Sequence, residues 1–333
     1  MAKGSSKFGK YKERKVREAL RNPINVLKSL GEKSQEKSYK YQRLYRNLYN
    51  PEFYLLAYQN IYANKGSMTP GVDGMTIDGI SMARINRIIE SMRNQSYQPK
   101  PARREYIKKK TGNKKRPLGI SSADDKLVQE VVRMILESIY EGSFSTKSHG
   151  FRPNRSCHTA LTQIRNTFTG AKWFVEGDIK ACFDSFDHAV LIRILRKRIE
   201  DEAFLNLIWK FLKAGYMEQW TYNKTYFGIP QGSGCSPILA NIYLNELDEF
   251  MQGLKERFDV GSCDRRKVSY EYESVRGRAK RLKKKYAKDW NEISEEERKR
   301  RAKEIRDLRA VYTKLPRYDA RDTDFKKIQY TRY

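Results

Sequence analysis

Gly177-Asp178-Ile179-Lys180-Ala181-Cys182-Phe183-Asp184-Ser185-Phe186-Asp187-His188 and, downstream, Phe227-Gly228-Ile229-Pro230-Gln231-Gly232-Ser233-Gly234-Cys235-Ser236-Pro237 are the two stretches that decide how this chain reads. Residues 173–179 read as a short apolar strand with an acid, Asp178, at its end. A carboxylate there is costly to ionise unless a charged group pairs with it. A divalent cation does so, and hard Mg²⁺ prefers carboxylate oxygens alongside substrate phosphates. A capping or turn role for Asp178 stands beside that reading. Asp184 and Asp187, where a turn leads into a helix, read as caps or surface acids. In the second stretch Gly228, Gly232 and Gly234 allow close backbone approach, and Gln231 offers both a donor and an acceptor. Ser236-Pro237 then opens a helix, with Ser as cap, Pro at the first position and an apolar stripe of Leu239, Tyr243 and Leu247. A glycine-rich loop before a capped helix can approach a phosphate or a base pair. It can equally be a tight packing turn.

Outward from these stretches the pattern is mixed helix and strand. Arg104 to Ile120 reads as a β-hairpin turning at Gly112-Asn113. Lys108, Lys109, Lys110, Lys114, Lys115 and Arg116 crowd its tip, where an anion would relieve their repulsion, although a solvated, edge-protecting tip reads as well on charge alone. Residues 124–140 form an amphipathic helix with Leu127, Val131, Ile135 and Ile139 at intervals of four. Ile85, Ile88, Ile89 and Met92 mark another helix, residues 189–215 read as helix, and 68–74 is a turn-rich loop. From about 253 to 318 charged runs replace apolar residues, as in an inserted helical hairpin. Residues 324–333 turn β-prone again.

Bulk composition narrows the partners. The chain has 333 residues and a formal net charge of +28, which points to a polyanion because each phosphate neutralised by Lys or Arg releases a condensed counterion. The first 50 residues hold 14 Lys and Arg against 4 Asp and Glu. The 22 Tyr, 14 Phe and 4 Trp suit base stacking and also an ordinary core. Cys157, Cys182, Cys235 and Cys263 lie far apart, without zinc or redox spacing, and fit reduced thiols in a cytosol. No apolar run approaches the roughly 20 residues of a membrane span, and the basic start has no apolar segment behind it. A cytoplasmic protein without membrane contact is expected.

Taken in order, five motifs resemble the reverse transcriptases encoded in group II introns. They are Thr69-Pro70-Gly71-Val72-Asp73-Gly74 with the Lys-rich hairpin ending Arg116-Pro117-Leu118-Gly119-Ile120; Ser148-His149-Gly150-Phe151-Arg152-Pro153; Gly177-Asp178-Ile179-Lys180; Phe183-Asp184-Ser185-Phe186-Asp187-His188; and Gly228-Ile229-Pro230-Gln231-Gly232 with Ser236-Pro237. The resemblance covers roughly residues 40–250 and the last ten. It implies an α/β right-hand polymerase fold, with fingers and an incomplete palm and no thumb. It also implies Asp178 as the first catalytic carboxylate of a two-metal Mg²⁺ site, helped by the Ile179 carbonyl. Phe183 matches the aromatic gate that favours dNTPs over NTPs. Arg104, Lys110 and Arg116 align with cations that clamp the incoming triphosphate, and Gln231 with the residue bracing the nucleotide pocket. Gly150, Phe151 and Arg152 align with template contacts.

The implied partners are group II intron RNA, an RNA template, a DNA primer and dNTPs, used in maturase-assisted splicing and retrohoming. Lys12, Lys15, Arg17 and Arg21 stand in the basic N-terminal segment as RNA-binding candidates. The family's palm carries a Tyr-Ala-Asp-Asp turn, and Tyr333 looks like its first residue. The 333 residues alone are therefore expected to be inactive, and a homodimer through uncovered palm surface is expected. The expected divisions are a basic helical extension at 1–65, fingers at 66–165, palm at 166–252, a charged insertion at 253–318 and the start of a palm strand at 319–333. Two alternatives stand: an RNA-binding splicing factor without polymerase activity, and a retron or diversity-generating type of reverse transcriptase.

Overall fold

The computed structural model describes residues 21–64, 66–108, 115–171, 173–229 and 232–333, without the side chain of Cys263. Lys12, Lys15, Arg17, Lys110 and Gln231 lie outside the described residues. The described residues fall into two compact units, residues 21–249 with 331–333, and residues 250–330.

In the first unit α1 (Pro23–Lys33), α2 (Pro51–Tyr62) and α3 (Met82–Arg93) precede the sheet, and α4 (Ala123–Tyr140) follows its first hairpin. Helix α4 starts because the Ser122 hydroxyl accepts the Asp125 N–H at 3.2 Å, with Asp124 and Asp125 facing the positive helix end. Its four-residue stripe, Leu127, Val131, Ile135 and Ile139, is wholly buried, each side chain worth roughly 1.5–3 kcal/mol of burial. Helices α1 and α2 pack on it, and Leu44, Phe53 and Tyr54 join the same core. Two acids of α4 are buried: Asp125 accepts the Tyr97 hydroxyl at 2.6 Å, and Glu130 is answered by Arg133 at 2.7 Å and by the Asn60 amide at 2.9 Å.

Strands β1 (Ala102–Lys108) and β2 (Lys115–Ile120) form the expected hairpin, in register from Arg103↔Ile120 to Lys108↔Lys115. Two further strands, β3 (Tyr216–Glu218) and β4 (Thr221–Asn223), extend it to the order β2-β1-β3-β4, with β3 parallel to β1. The β3–β4 turn puts Gln219 and Trp220 at φ +48° and +66°, the primed hairpin geometry. The remaining helices of this unit are α5 (Cys157–Thr167), α6 (His188–Arg196), α7 (Glu202–Lys213) and α8 (Ser236–Phe258), whose last turns belong to the second unit.

Three sequence expectations are corrected. Residues 173–179 form no strand: Trp173 is 91% and Val175 94% exposed, and without a ladder partner an extended segment leaves its N–H and C=O groups to water. The helix expected over 189–215 is two. Between them Tyr41 exchanges backbone hydrogen bonds with Arg198 and Glu200 at 2.8 Å, and Asp201 caps α7 while also accepting the Tyr45 N–H. Residues 324–333 make only isolated bridges, Lys326 with Val260 and Arg332 with Ser148.

In the second unit α9 (Tyr270–Tyr286) and α10 (Glu295–Lys314) pack as a hairpin with one buried residue, Ala279. Polar contacts hold it: the Tyr286 hydroxyl donates to Glu304 at 2.6 Å, and Arg301 meets Asp289 at 2.8 Å. No described helix is long and apolar enough to cross a membrane.

Candidate active site

The glycine-rich loop is seated on the Phe183–Phe186 turn. The Ile229 N–H donates to the Phe183 carbonyl and the Gly228 N–H to the Phe186 carbonyl, both at 2.7 Å. Gly228 has φ +88°, and a Cβ there would stand 2.8 Å from the Asp184 backbone, so no other residue fits without movement. At the far end Gly232 has φ +106°, with Gly119 O at 2.7 Å from an added Cβ. The loop therefore spans from β2 to the 183–186 turn. Gly234 needs no such freedom; its N–H is taken by Gln129 at 3.1 Å.

Asp187 caps α6 by accepting the Val190 N–H at 2.9 Å, as its position in the sequence suggests. The next residue, His188, is buried and donates from Nε2 to the Gly228 carbonyl at 2.6 Å. Burial holds this imidazole below its ordinary range, which keeps the ring neutral.

Phe183 meets Phe151 edge-on at 6.0 Å and Phe186 at 6.3 Å, and Phe186 packs on Tyr243 at 4.6 Å. Phe151 sits at φ +53° and is 67% exposed. Asn241 holds that loop by donating to the Gly150 carbonyl at 2.9 Å, and Arg332 ties Asp248, Asn241 and Ser148 together beside it. Arg152, expected at the template, turns into the protein instead. All three of its side-chain nitrogens are engaged by Glu141 and by the carbonyls of Ser145 and Ser148. In this structure it braces the loop that presents Phe151.

A cavity of about 270 Å³ lies beside the loop, lined by Arg104, Gly119, Asp184, Tyr216, Lys224 and Gly228 among others. The Arg104 guanidinium stacks 3.3 Å above the Tyr216 ring and stands 4.0 Å from Glu218, whose other oxygen accepts the Tyr106 hydroxyl at 2.7 Å. That hydrogen bond pushes the Tyr106 phenol above its ordinary range. Arg116 does not join Arg104. In the ladder Arg104 faces Gly119 and Arg116 faces Ile107, so strand alternation sends the two guanidinium groups from opposite faces of the hairpin.

Asp178 and Ile179 are exposed. Both Asp178 and Arg332 act electrostatically on Cys182, whose thiol is pushed up chiefly by burial, with Arg332 opposing and Asp178 adding to the shift. Among the described residues no group of three or more His, Cys, Asp or Glu side chains converges as a metal site. One carboxylate and one carbonyl are nevertheless hard oxygen donors of the kind Mg²⁺ accepts when substrate phosphates complete its shell. Arg21 is exposed next to Asn22, the cap of α1. Sequence reasoning missed Tyr216, Glu218, His188 and Lys224. A Lys closely preceding the glycine-rich loop was a usable signal for the last, whereas three-residue strands leave no periodicity to read.

The family model for reverse transcriptase (RNA-dependent DNA polymerase) matches residues 107–265. The chain is 47% identical over 315 residues to the group II intron-encoded protein LtrA of Lactococcus lactis subsp. cremoris, covering 94% of this chain and 51% of that protein. It is also 47% identical over 255 residues to a 91 kDa protein in the cob intron of Schizosaccharomyces pombe, covering 75% and 31%. Nuclear intron maturase 1, mitochondrial, of Arabidopsis thaliana is 32% identical over 180 residues, covering 38% and 25%. The chain thus spans about half the length of LtrA and less of the other two. A reverse transcriptase domain of this type depends on divalent metal. Over 94% of its length the chain is thus similar to a group II intron-encoded protein, and within it residues 107–265 carry the reverse transcriptase (RNA-dependent DNA polymerase) family match.

Proposed function

We propose that this protein is an RNA-directed DNA polymerase and maturase of a group II intron, binding the intron RNA, assisting its splicing and copying it into cDNA. The observation that carries the polymerase reading is that Gly228 and Ile229 hydrogen-bond to the Phe183–Phe186 turn while Gly232 closely approaches Gly119 of β2, beside a cavity faced by Arg104. The names of the relatives, one an intron-encoded protein and one an intron maturase, support the maturase half.

Each residue has a task in that reading. Asp178 and the Ile179 carbonyl hold Mg²⁺, which when bound neutralises charge developing on the transferred phosphoryl group. Arg104 binds the triphosphate, with Lys110 and Arg116 closing from the hairpin tip and its other face. The Phe183 ring, steadied by Phe151 and Phe186, stands where a ribose 2′-hydroxyl would collide. Gln231 braces the base pair, and Gly150 and Phe151 receive the template. Lys12, Lys15, Arg17 and Arg21 contact intron RNA through phosphates. The partners are intron RNA, an RNA template, a DNA primer and dNTPs.

The test is RNA-templated dNTP incorporation in Mg²⁺ by the complete gene product, wild type against Asp178→Asn. A loss of roughly 10²-fold or more is expected for a group that stabilises transition-state charge. Undiminished incorporation by the variant would remove Asp178 from the mechanism.

A further inference from the structure

Arg104 is held on the cavity wall by Tyr216 and Glu218, which lie outside the five motifs quoted above. Strand β3 pairs with β1 in parallel register, Ala102↔Tyr216 and Arg103↔Met217. By strand alternation Arg104 and Tyr106 of β1 share a face with Tyr216 and Glu218 of β3. On that face the guanidinium carbon stands 3.3 Å from the centre of the Tyr216 ring. Glu218 is itself fixed, with one oxygen accepting the Tyr106 hydroxyl at 2.7 Å and the other facing Arg104 at 4.0 Å. Arg104 and Tyr216 both line the 270 Å³ cavity, with Lys224 as a second cation.

Two features of this cluster point to function. An unrestrained Arg side chain loses much rotamer freedom when it grips a ligand, and a stacking platform removes part of that loss in advance. The Glu218 contact is also loose. At 4.0 Å it is far longer than the 2.8 Å of the Arg332–Asp248 pair in the same unit, so an anion with better geometry can displace it. We propose that Tyr216 and Glu218 are positioning residues for Arg104: the Tyr216 ring aims the guanidinium into the cavity, and the Glu218 carboxylate stands in for the polyphosphate until one binds. This rests on the reading of Arg104 as a triphosphate-binding residue.

The test is calorimetric titration of the 333-residue chain with inorganic tripolyphosphate at low ionic strength, counting only the binding that Arg104→Ala removes. Tyr216→Leu should weaken that binding about two- to fivefold, as expected for loss of a partly exposed cation–π contact, and Tyr216→Phe should restore it. Glu218→Gln should tighten it about two- to fivefold by removing the competing charge. Glu105→Gln, a neighbouring acid on the other face of β1 and paired with Arg103, should leave it unchanged. A tighter Glu218→Gln cannot arise from a merely structural role, because a damaged fold loses affinity. If Arg104→Ala abolishes a site that Tyr216→Leu and Glu218→Gln leave at wild-type affinity, the positioning proposal is overturned while Arg104 keeps its role. Equal tightening by Glu105→Gln would overturn the stand-in role of Glu218. If Arg104→Ala removes no binding, the triphosphate reading of Arg104 fails first.

Discussion

Gly228→Ala tests whether the glycine-rich loop is seated as described. The new methyl group would meet the Asp184 backbone at 2.8 Å, closer than real Cβ atoms come, while the backbone keeps a φ of +88° that L-residues resist. The φ term costs about 1–2 kcal/mol and the clash with fixed backbone about 1–3, so a loss of roughly 2–5 kcal/mol is expected. At about 2–4 °C per kcal/mol for a unit of this size, thermal melting followed by circular dichroism should show a fall of roughly 5–15 °C. Gly170→Ala is the matched control. Its φ is +74°, but nothing lies within 4 Å of an added Cβ, so only the φ term applies. A drop of a few degrees is expected there. If the two variants melt together, the Gly228 contact with the Phe183–Phe186 turn is not made, and the assembly of the site on that turn fails with it.

Two more outcomes separate bracing residues from binding residues. Arg152→Ala should destabilise by roughly 1.5–3 kcal/mol through lost charge-assisted hydrogen bonds, yet leave the slope of log RNA affinity against log salt unchanged, because its nitrogens are spent on Glu141 and backbone carbonyls. A shallower slope in filter binding would return Arg152 to the template. His188 gives a pH signature. Its folded pKa is lowered, so the unfolded chain binds the proton first as pH falls through the ordinary histidine range near 6.5. The stability it permits is full above that range and is lost as pH falls toward the folded value. Urea midpoints should decline from pH 7.5 to 5.5 in wild type and decline less in His188→Gln, and parallel profiles would refute the assignment.

How far the fold was legible depended on how local its causes are. The helix at 123–140 shows its cap, first-turn acids and four-residue stripe within its own span, and the two strands of the 102–120 hairpin pair as their sequence suggests, whereas the expected Gly112-Asn113 turn lies outside the described residues. Asp187 as a cap and the close approach at Gly228 were legible for the same reason. The break between α6 and α7 was not, because it depends on Tyr41 and Tyr45, contacts more than 150 positions away in sequence. The 173–179 segment has strand composition, but a strand exists only when another lies beside it. Arg104 and Arg116 look alike in sequence, and only the ladder register shows that they leave opposite faces. Arg152 looks like an exposed cation until Glu141 is seen to take it.

The most direct measurement is the discrimination between dNTPs and NTPs by the complete gene product on an RNA template, wild type against Phe183→Val. With the Phe183 ring at the sugar, held edge-on by Phe151 and Phe186, the smaller side chain should admit NTPs while dNTP incorporation continues, and the selectivity ratio should collapse. An unchanged ratio in an active variant would contradict the placement of the nucleotide between Phe183 and Arg104, and with it the site described above.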